Sequence, residues 1–307
     1  MNKPFVSVIM PAYNCEKYIK EAIDSILNQT YYNLELLIAD DYSKDRTKKI
    51  IASCQDERIK IFHNEKNLGY LQTFNKLIAH AKGDYITFQN AYDYSDPSRI
   101  YLLLEEFEKD KELCICGSNY ISIDEKDNQL EFSNFPLEHS EIFESMPQKY
   151  QFIGPALMIR RQVYESIGGY HTFFDRMGQE DHYWAYLAMS IFKTKNIHHH
   201  LYSCRINSAC FSDNLYSNPD KLNSHKIVEI LVNQRKNTGT DFLERGNDSE
   251  LRSILNELNK PFTDNPSYFY SYIAKLRFCE GKKKLALKNM WFAILKTFKW
   301  SYYKNKF

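Results

Sequence analysis

The first third of the chain alternates between short apolar runs and segments whose apolar residues recur at helical spacing. Four apolar runs predict β-strands: Phe5–Met10, Leu34–Ala39, Ile59–His63 and Tyr85–Phe88. The segments between them predict helices with one apolar face: Glu16–Asn28, Arg46–Cys54 and Tyr70–Ala81. This alternation predicts an α/β fold with a mostly parallel sheet and helices on both faces. Pro11 is expected to stop the first strand.

The pattern continues less regularly to about residue 213. Helices and strands are predicted, in chain order, from Pro97 to Lys109 (helix), at Leu113–Ile123 and Ala156–Arg160 (strands), and at Arg161–Ile167 and Asp181–Phe192 (helices). Residues 130–150 show no clear pattern. The composition shifts near Asn214, and helices are predicted at about 221–236, 249–258 and 266–298, the last two separated by Pro261 and Pro266. We therefore predict an α/β domain over residues 1–213 and a helical region over 214–307.

The bulk composition narrows the class of partner. The chain has 307 residues and a net charge of +1, so no overall field favours nucleic acid. Seven cysteines, without a C-x-x-C pair, do not indicate a disulfide framework, which predicts reduced thiols and a cytoplasmic location. We expect no signal peptide, and no apolar run reaches the length of a transmembrane helix.

Two loops at the ends of neighbouring predicted strands are candidates for a binding crevice. They are Pro11–Asn14 and Asp40-Asp41, and open α/β sheets bind ligands beyond the carboxyl ends of their strands. Asp41 is placed to accept the imino hydrogen of a uracil-like base, and Tyr13 to pack on its ring. The alternative is that Asp40–Asp45 only makes a turn and a helix cap.

Two further positions carry charge suited to catalysis or phosphate binding. Glu180-Asp181 is an acidic pair at the start of a predicted helix, where a carboxylate could act as a general base toward an acceptor hydroxyl. The alternative is that the pair caps the helix and favours its dipole. Arg205 follows three consecutive histidines, and its fork matches diphosphate oxygens. The histidines cannot all converge on a metal, because successive residues of an extended segment point to opposite faces.

The segment Lys282–Phe307 combines many lysines with large apolar residues. Such a helix could lie on an anionic membrane surface. It could also pack its apolar side on the preceding helix, around Tyr268–Phe278, and the two interpretations are compatible.

Several motifs together resemble the family-2 glycosyltransferases. They are V-S-V-I-M-P-A-Y-N, L-E-L-L-I-A-D-D-Y-S-K-D-R-T, N-L-G, A-K-G-D-Y-I-T-F and G-G-Y … Q-E-D-H-Y-W, in the family's order over residues 4–212. The resemblance implies an inverting enzyme with a nucleotide-diphospho-sugar-binding fold of the glycosyltransferase A type. It does not cover the C-terminal third.

The resemblance also assigns roles to individual residues. It implies a nucleotide pocket formed by Pro11, Ala12, Tyr13, Asn14 and Asp41. It implies that Glu180-Asp181 is the family's acidic pair, in which the Asp serves as catalytic base. It further places Arg205-Ile206-Asn207 and Ser212 near the diphosphate.

This sequence departs from the family at Asn90-Ala91-Tyr92, where the family has Asp-x-Asp and its last acid binds a metal. Tyr92 occupies the ligand position, and a phenol with a pKa of about 10 is a poor ligand for a hard cation. Three interpretations remain open. Asp93 replaces the missing ligand for Mn²⁺ or Mg²⁺, cationic side chains stabilise the diphosphate instead, or the protein binds without transferring.

The sequence as a whole predicts an inverting glycosyltransferase that acts at the inner face of the membrane. We expect a nucleotide-sugar donor, with uridine diphosphate favoured, and a glycan or lipid-linked acceptor in cell-surface polysaccharide or glycolipid assembly. In addition to the pocket residues, Asn90, Tyr92 and Arg205 are expected to contact the donor. The alternative is a catalytically silent nucleotide-sugar or glycan-binding protein on the same fold.

Overall fold

A computed structural model describes residues 3–146, 151–152, 154–206 and 216–304, with side chains through residue 297. The chain folds into two compact units, Met1–Cys210 and Phe211–Phe307. The predicted boundary between residues 213 and 214 lies outside the described residues.

Four parallel strands form one part of the sheet in the spatial order β3-β2-β1-β4. They are β1 (Val6–Ala12), β2 (Leu34–Asp40), β3 (Ile59–His63) and β4 (Tyr85–Phe88). The helices that connect them are α1 (Ile19–Leu27), α2 (Thr47–Ser53) and α3 (Tyr70–Ile78). The predicted alternation of strands and helices is therefore confirmed.

The expectation that Pro11 stops the first strand is wrong, because β1 runs on to Ala12. Successive residues of a strand direct their backbone groups to alternate sides. The carbonyl of Ile9 accepts from Gln89 on the β4 side, so Pro11 faces that side as well. The pairing of β1 with β4 ends at Ile9 and Phe88, and the missing N–H of Pro11 therefore costs no ladder hydrogen bond.

The second part of the sheet makes it mixed. Its strands are β5 (Tyr94–Ser95), β6 (Leu113–Ile123), β7 (Gln129–Phe132), β8 (Met158–Arg160) and β9 (Lys193–Arg205). Strand β8 lies antiparallel between β4 and β6, and β9 runs parallel to β6. Over the described residues the order is β3-β2-β1-β4-β8-β6-β9-β5, with β7 beside β6. The sheet and its flanking helices form the predicted α/β fold.

Among the described residues of this unit there are four more α-helices: α4 (Arg99–Lys109), α5 (His139–Ser145), α6 (Arg161–Ile167) and α7 (Glu180–Met189). The core between sheet and helices is apolar, with Val8, Ile23 and Phe107 fully buried in one cluster. Burial of each such side chain stabilises the fold by about 1.5–3 kcal/mol. This rigid base holds the loops at the strand ends.

The second unit consists, in its described part, of α8 (Pro219–Thr238), α9 (Asp248–Asp264), α10 (Pro266–Cys279) and α11 (Lys283–Lys304). The predicted break at Pro261 is wrong, since α9 continues through it by one turn. The predicted helix 266–298 is instead two helices. Gly281 separates them with a φ of +75°, a left-handed conformation that glycine adopts without strain.

Candidate active site

The loops that follow β1 and β2 are tied together at the carboxyl edge of the sheet. The backbone N–H of Asp41 donates to the carbonyl of Ala12 over 2.8 Å. Asn14 donates its backbone N–H to Ser43 Oγ over 3.0 Å and accepts from the Lys44 N–H over 2.8 Å. Pro11 and Ala12 are buried in β1, whereas the Tyr13 side chain is 48% exposed. The structure therefore brings the predicted pocket residues together, with an aromatic ring open to a ligand.

Asp41 is buried, and its carboxylate accepts four hydrogen bonds from the loop that follows β3. Oδ1 accepts from Asn64 Nδ2 and the Leu68 N–H, each over 2.8 Å. Oδ2 accepts from Asn67 Nδ2 over 3.1 Å and from the Gly69 N–H over 2.9 Å. Each oxygen thus has two donors, which fills its lone pairs. A hydrogen bond from a nucleotide base to Asp41 would have to replace one of these four bonds. The role of Asp41 in nucleotide recognition therefore stays a prediction.

Replacing Asp41 with alanine is expected to weaken nucleotide binding by about 1.5–3 kcal/mol, the range for a hydrogen bond to a charged group. Titration calorimetry with uridine diphosphate measures this effect. Asn64→Ala is the matched control, because it removes one loop donor and leaves the carboxylate in place. If Asp41→Ala lowers the melting temperature but leaves the affinity unchanged, Asp41 only anchors the loop.

Asp93 is buried and pins the loop after β4 to β9. Its Oδ1 accepts from the Arg205 N–H over 2.7 Å, and its Oδ2 accepts from Asn90 Nδ2 and the Tyr202 hydroxyl, each over 2.9 Å. Burial raises the pKa of the Asp93 carboxyl group to about 6, against the lowering effect of these three donors. The Asp93 carboxylate thus holds the loop after β4 in place against β9.

The pH dependence of stability should report this raised pKa. The folded protein holds the Asp93 proton more tightly than the unfolded chain, so this group stabilises the fold at low pH and loses that effect as pH rises from about 4 to 6. The pKa difference corresponds to about 3 kcal/mol. Urea unfolding of wild type and Asp93→Asn across this range should show the steeper decline in wild type. Parallel pH profiles for the two proteins would contradict the assignment.

The side chains at Asn90–Asp93 do not suit a divalent cation. The loop offers one amide, one phenol and one carboxylate that already has three donors. Hard cations need charged oxygen ligands that are free to coordinate. Across the part of the chain that the structure describes, no three His, Cys, Asp or Glu side chains are grouped to hold a metal. Of the three histidines that precede Arg205, His200 contacts the carbonyl of Ser133.

Arg205 is placed differently from the prediction, because its guanidinium group is buried and bound within the protein. Nη2 donates to Glu21 over 2.8 Å, and Nη1 donates to Asp127 over 2.6 Å. Nε donates to the carbonyl of Tyr92 over 3.0 Å, and the group lies 4.4 Å from the ring centroid of Tyr18. The Arg205 guanidinium group, which was predicted to bind a diphosphate, is thus hydrogen-bonded to two carboxylates of the protein. Asn207 and Ser212, predicted to lie near the diphosphate, fall outside the described residues.

Glu180 and Asp181 form the first turn of α7, and both are partly buried. Negative charge is favoured there by the helix dipole. Asp181 Oδ1 accepts from the His182 N–H over 2.9 Å. The residue before the helix, Gln179, has a φ of +70° and makes no side-chain cap. One Asp181 oxygen thus accepts from a backbone N–H within the first turn, and the choice between a catalytic and a capping role stays a prediction.

Tyr70 is a further aromatic residue at this edge of the sheet, and its side chain is 42% exposed. It is the first residue of α3 and follows Gly69, whose φ of +88° suits glycine. Desolvation of its hydroxyl group raises the pKa of Tyr70, and the charges of Glu180, Asp181 and Asp93 raise it further. The charges of the acidic pair and of the loop after β4 thus disfavour ionisation of this hydroxyl group. Sequence reasoning missed Tyr70, although its place after N-L-G at a strand end was a usable signal.

The loop before the acidic pair also packs on the N-L-G turn. Arg176 Nη2 donates to the carbonyl and to Oδ1 of Asn67, over 3.2 and 3.1 Å. A side chain at Gly69 would begin 3.4 Å from the Arg176 guanidinium carbon. Asp175 Oδ1 is buried and has no hydrogen-bond partner among the described residues. No motif pointed to these two residues, because only the fold brings them beside Gly69.

The match to known proteins agrees with this geometry. Residues 7–168, more than half of the chain, match the family described as glycosyl transferase family 2. The chain belongs to this family, and it is a glycosyltransferase.

Individual relatives support the same assignment. EpsE of Bacillus subtilis (strain 168), described as a glycosyltransferase, is 32% identical over 218 residues, which are 68% of this chain and 75% of EpsE. A chondroitin synthase of Pasteurella multocida (strain Pm70) is 40% identical over 119 residues, which are 38% of this chain and 12% of that protein. S. aureus TarS 1–349 in complex with UDP-GlcNAc shares the fold, with a TM-score of 0.59, 16% identity, and coverage of 98% and 92%.

Proposed function

We propose that this glycosyltransferase moves a sugar from a nucleoside-diphosphate donor to a hydroxyl acceptor and inverts the anomeric centre. The observation that carries the proposal is that the loop before the acidic pair packs on the N-L-G turn, where Arg176 donates to Asn67, and that the Asp41 carboxylate holds the same turn. Such a transfer needs a base for the acceptor beside a pocket for the nucleotide.

In this proposal Asp181 takes the proton of the acceptor hydroxyl while its oxygen bonds to the anomeric carbon. The bond from that carbon to the diphosphate oxygen breaks, and the nucleoside diphosphate leaves with the electron pair. Attack from the face opposite the leaving group inverts the configuration. Glu180 is the second carboxylate of the pair and the second candidate for the base.

The nucleotide would occupy the crevice between the loops after β1 and β2. The exposed Tyr13 ring offers a stacking surface for the base. Pro11, Ala12 and Asn14 would form the wall, and Asp41 would contact the base if it exchanged a loop hydrogen bond. A uridine diphosphate donor is favoured, because TarS has the same fold and is in complex with UDP-GlcNAc.

The charge that develops on the leaving diphosphate must also be stabilised. The side chains at Asn90–Asp93 are poor ligands for a divalent cation. The guanidinium group of Arg205 is already bound to two carboxylates. We therefore assign this task to cationic side chains, with Arg176 as the leading candidate because its guanidinium group lies against Gly69. Asn90 and Tyr92 would contribute polar contacts to the donor.

The biological setting follows from the relatives. Chondroitin synthase is named for a polysaccharide product, and EpsE matches 68% of this chain. We propose a role in the assembly of a cell-surface polysaccharide or glycolipid, with a glycan or lipid-linked acceptor, in the cytoplasm at the inner face of the membrane.

A catalytically silent protein that binds nucleotide sugars is the second candidate. The observation in its favour is the replacement of the Asp-x-Asp acids by Asn90 and Tyr92. Silent binding would use the same crevice without turnover.

One experiment separates the two candidates. The purified chain is titrated with several uridine-diphosphate sugars and tested for release of uridine diphosphate, with Mn²⁺, with Mg²⁺ and without metal. We expect binding together with turnover of at least one donor, and nuclear magnetic resonance of the product should show an inverted anomer. Binding without turnover under every condition would favour the silent protein, and a retained anomer would refute inversion.

A further inference from the structure

Helix α11 carries a set of large apolar side chains that are about half exposed. Leu287, Met290, Trp291, Ile294 and Leu295 are between 41% and 65% exposed. Their spacing of three and four residues places them on one side of the helix, which we call the α11 apolar face. Isolated exposed apolar residues are ordinary, but a contiguous set marks an interaction site.

The contact of α11 with α10 uses other residues. Ala286 and Ala293 are buried, and Asn289 is buried and accepts from Arg277 Nη1 over 3.1 Å. The hydroxyl oxygens of Thr297 and Ser267 are hydrogen-bonded over 2.7 Å. Packing on the preceding helix is therefore achieved through small and polar residues together with Phe292, whose ring centroid lies 5.6 Å from that of Tyr270. This contact leaves the five large apolar side chains named above exposed.

The charge around the α11 apolar face identifies the kind of partner. From Gly281 to Phe307 the sequence has eight lysines and no acidic residue. Lys283, Lys284 and Lys288 are exposed on the described part of the helix. A two-fold contact with a second copy would bring these lysines together, which is unfavourable. An anionic surface would be attracted to them instead.

We propose that α11 lies flat on an anionic lipid surface. The α11 apolar face would enter the boundary between headgroups and acyl chains, and the lysines would meet the headgroups. Trp291 suits this boundary because its ring is amphipathic. Among the described helices none is long and apolar enough to cross a membrane. This surface includes none of the residues assigned to the donor site.

Vesicle sedimentation with the full chain tests the proposal. The probes are phosphatidylcholine vesicles with and without phosphatidylserine. We expect wild type to bind the phosphatidylserine vesicles, less tightly as salt rises. Leu287→Ser, Trp291→Ser and Leu295→Ser combined should weaken binding roughly tenfold or more, because the apolar contact is lost. Lys283→Gln, Lys284→Gln and Lys288→Gln combined should abolish the preference for phosphatidylserine.

A matched control replaces apolar residues of similar exposure elsewhere: Leu130, Phe132 and Ile191, each to serine and between 55% and 60% exposed. This variant should bind as wild type does, and circular dichroism confirms that every variant is folded. The proposal is wrong if wild type does not bind either vesicle, or if the α11 serine variant binds equally well. It is also wrong if light scattering shows a wild-type dimer that this variant dissociates, in place of vesicle binding.

Discussion

Replacing Asp181 with asparagine is expected to reduce sugar transfer by roughly 10²–10⁴-fold, the typical contribution of a general base. The asparagine side chain has nearly the same shape and still accepts from the His182 N–H, so α7 should keep its first turn. It cannot take a proton from the acceptor. Donor binding should change little, since the base acts on the acceptor. Turnover and calorimetric titration on the same variant separate the two effects.

Glu180→Gln provides the comparison, because it makes the same chemical change one residue earlier in the same turn. If Asp181 is the base, this variant should lose much less activity. Equal losses in the two variants would indicate that the pair acts as a unit. Retained turnover in a folded Asp181→Asn protein would remove Asp181 from the mechanism.

The first half of the fold was predictable because its strands and helices are specified by sequence patterns that extend over only a few residues. The apolar runs that became β1 to β4 and the helical spacing of α1 and α3 can be read over a few residues. The second half depends on distant pairing. Strand β8 lies between β4 and β6, and β9 pairs with β6 some eighty residues away in sequence. No local pattern specifies such neighbours.

The candidate site was predictable to the same extent. Strand-end reasoning brought Tyr13 and Asp41 to one edge, where the structure places them. The same reasoning could not identify the hydrogen-bond and ion-pair partners of each residue. These partners determine whether a charged side chain is available to a ligand. Arg205 looks like a phosphate ligand in the sequence, but Glu21, which is 184 residues away, occupies its fork. Arg176 became a candidate only because the fold brings it to Gly69.

The C-terminal helices show a related limit. Proline is a strong local signal for a helix end, yet α9 passes through Pro261 and ends at Asp264. The break that sequence reasoning missed is at Gly281, where a left-handed residue separates α10 from α11. A helix prediction from apolar spacing alone continued across it. That break defines α11 as a separate helix, with its own apolar face.

Donor binding by the wild-type protein is expected to depend only weakly on Mn²⁺ or Mg²⁺. The loop after β4 has Asn90 and Tyr92 in place of two carboxylates, and divalent cations bind charged oxygens most tightly. To coordinate a metal, the Asp93 carboxylate would have to lose hydrogen bonds that it accepts from Arg205, Asn90 and Tyr202. Release of a buried carboxylate from such bonds is costly. Calorimetric titration of the donor, with metal and with a chelator, measures the dependence.

Two variants complete this test. Asn90→Asp combined with Tyr92→Asp restores the acids and should make donor binding clearly metal-dependent, because a charged ligand pair is then available. Asp93→Asn tests the opposing view, in which Asp93 already holds the cation. On that view wild type shows strong metal dependence and Asp93→Asn loses it. The asparagine variant is preferred to alanine because it still accepts from the Arg205 N–H, so the loop keeps its contact with β9. Strong metal dependence in wild type would refute the prediction, and the response of Asp93→Asn would then show whether Asp93 is the ligand.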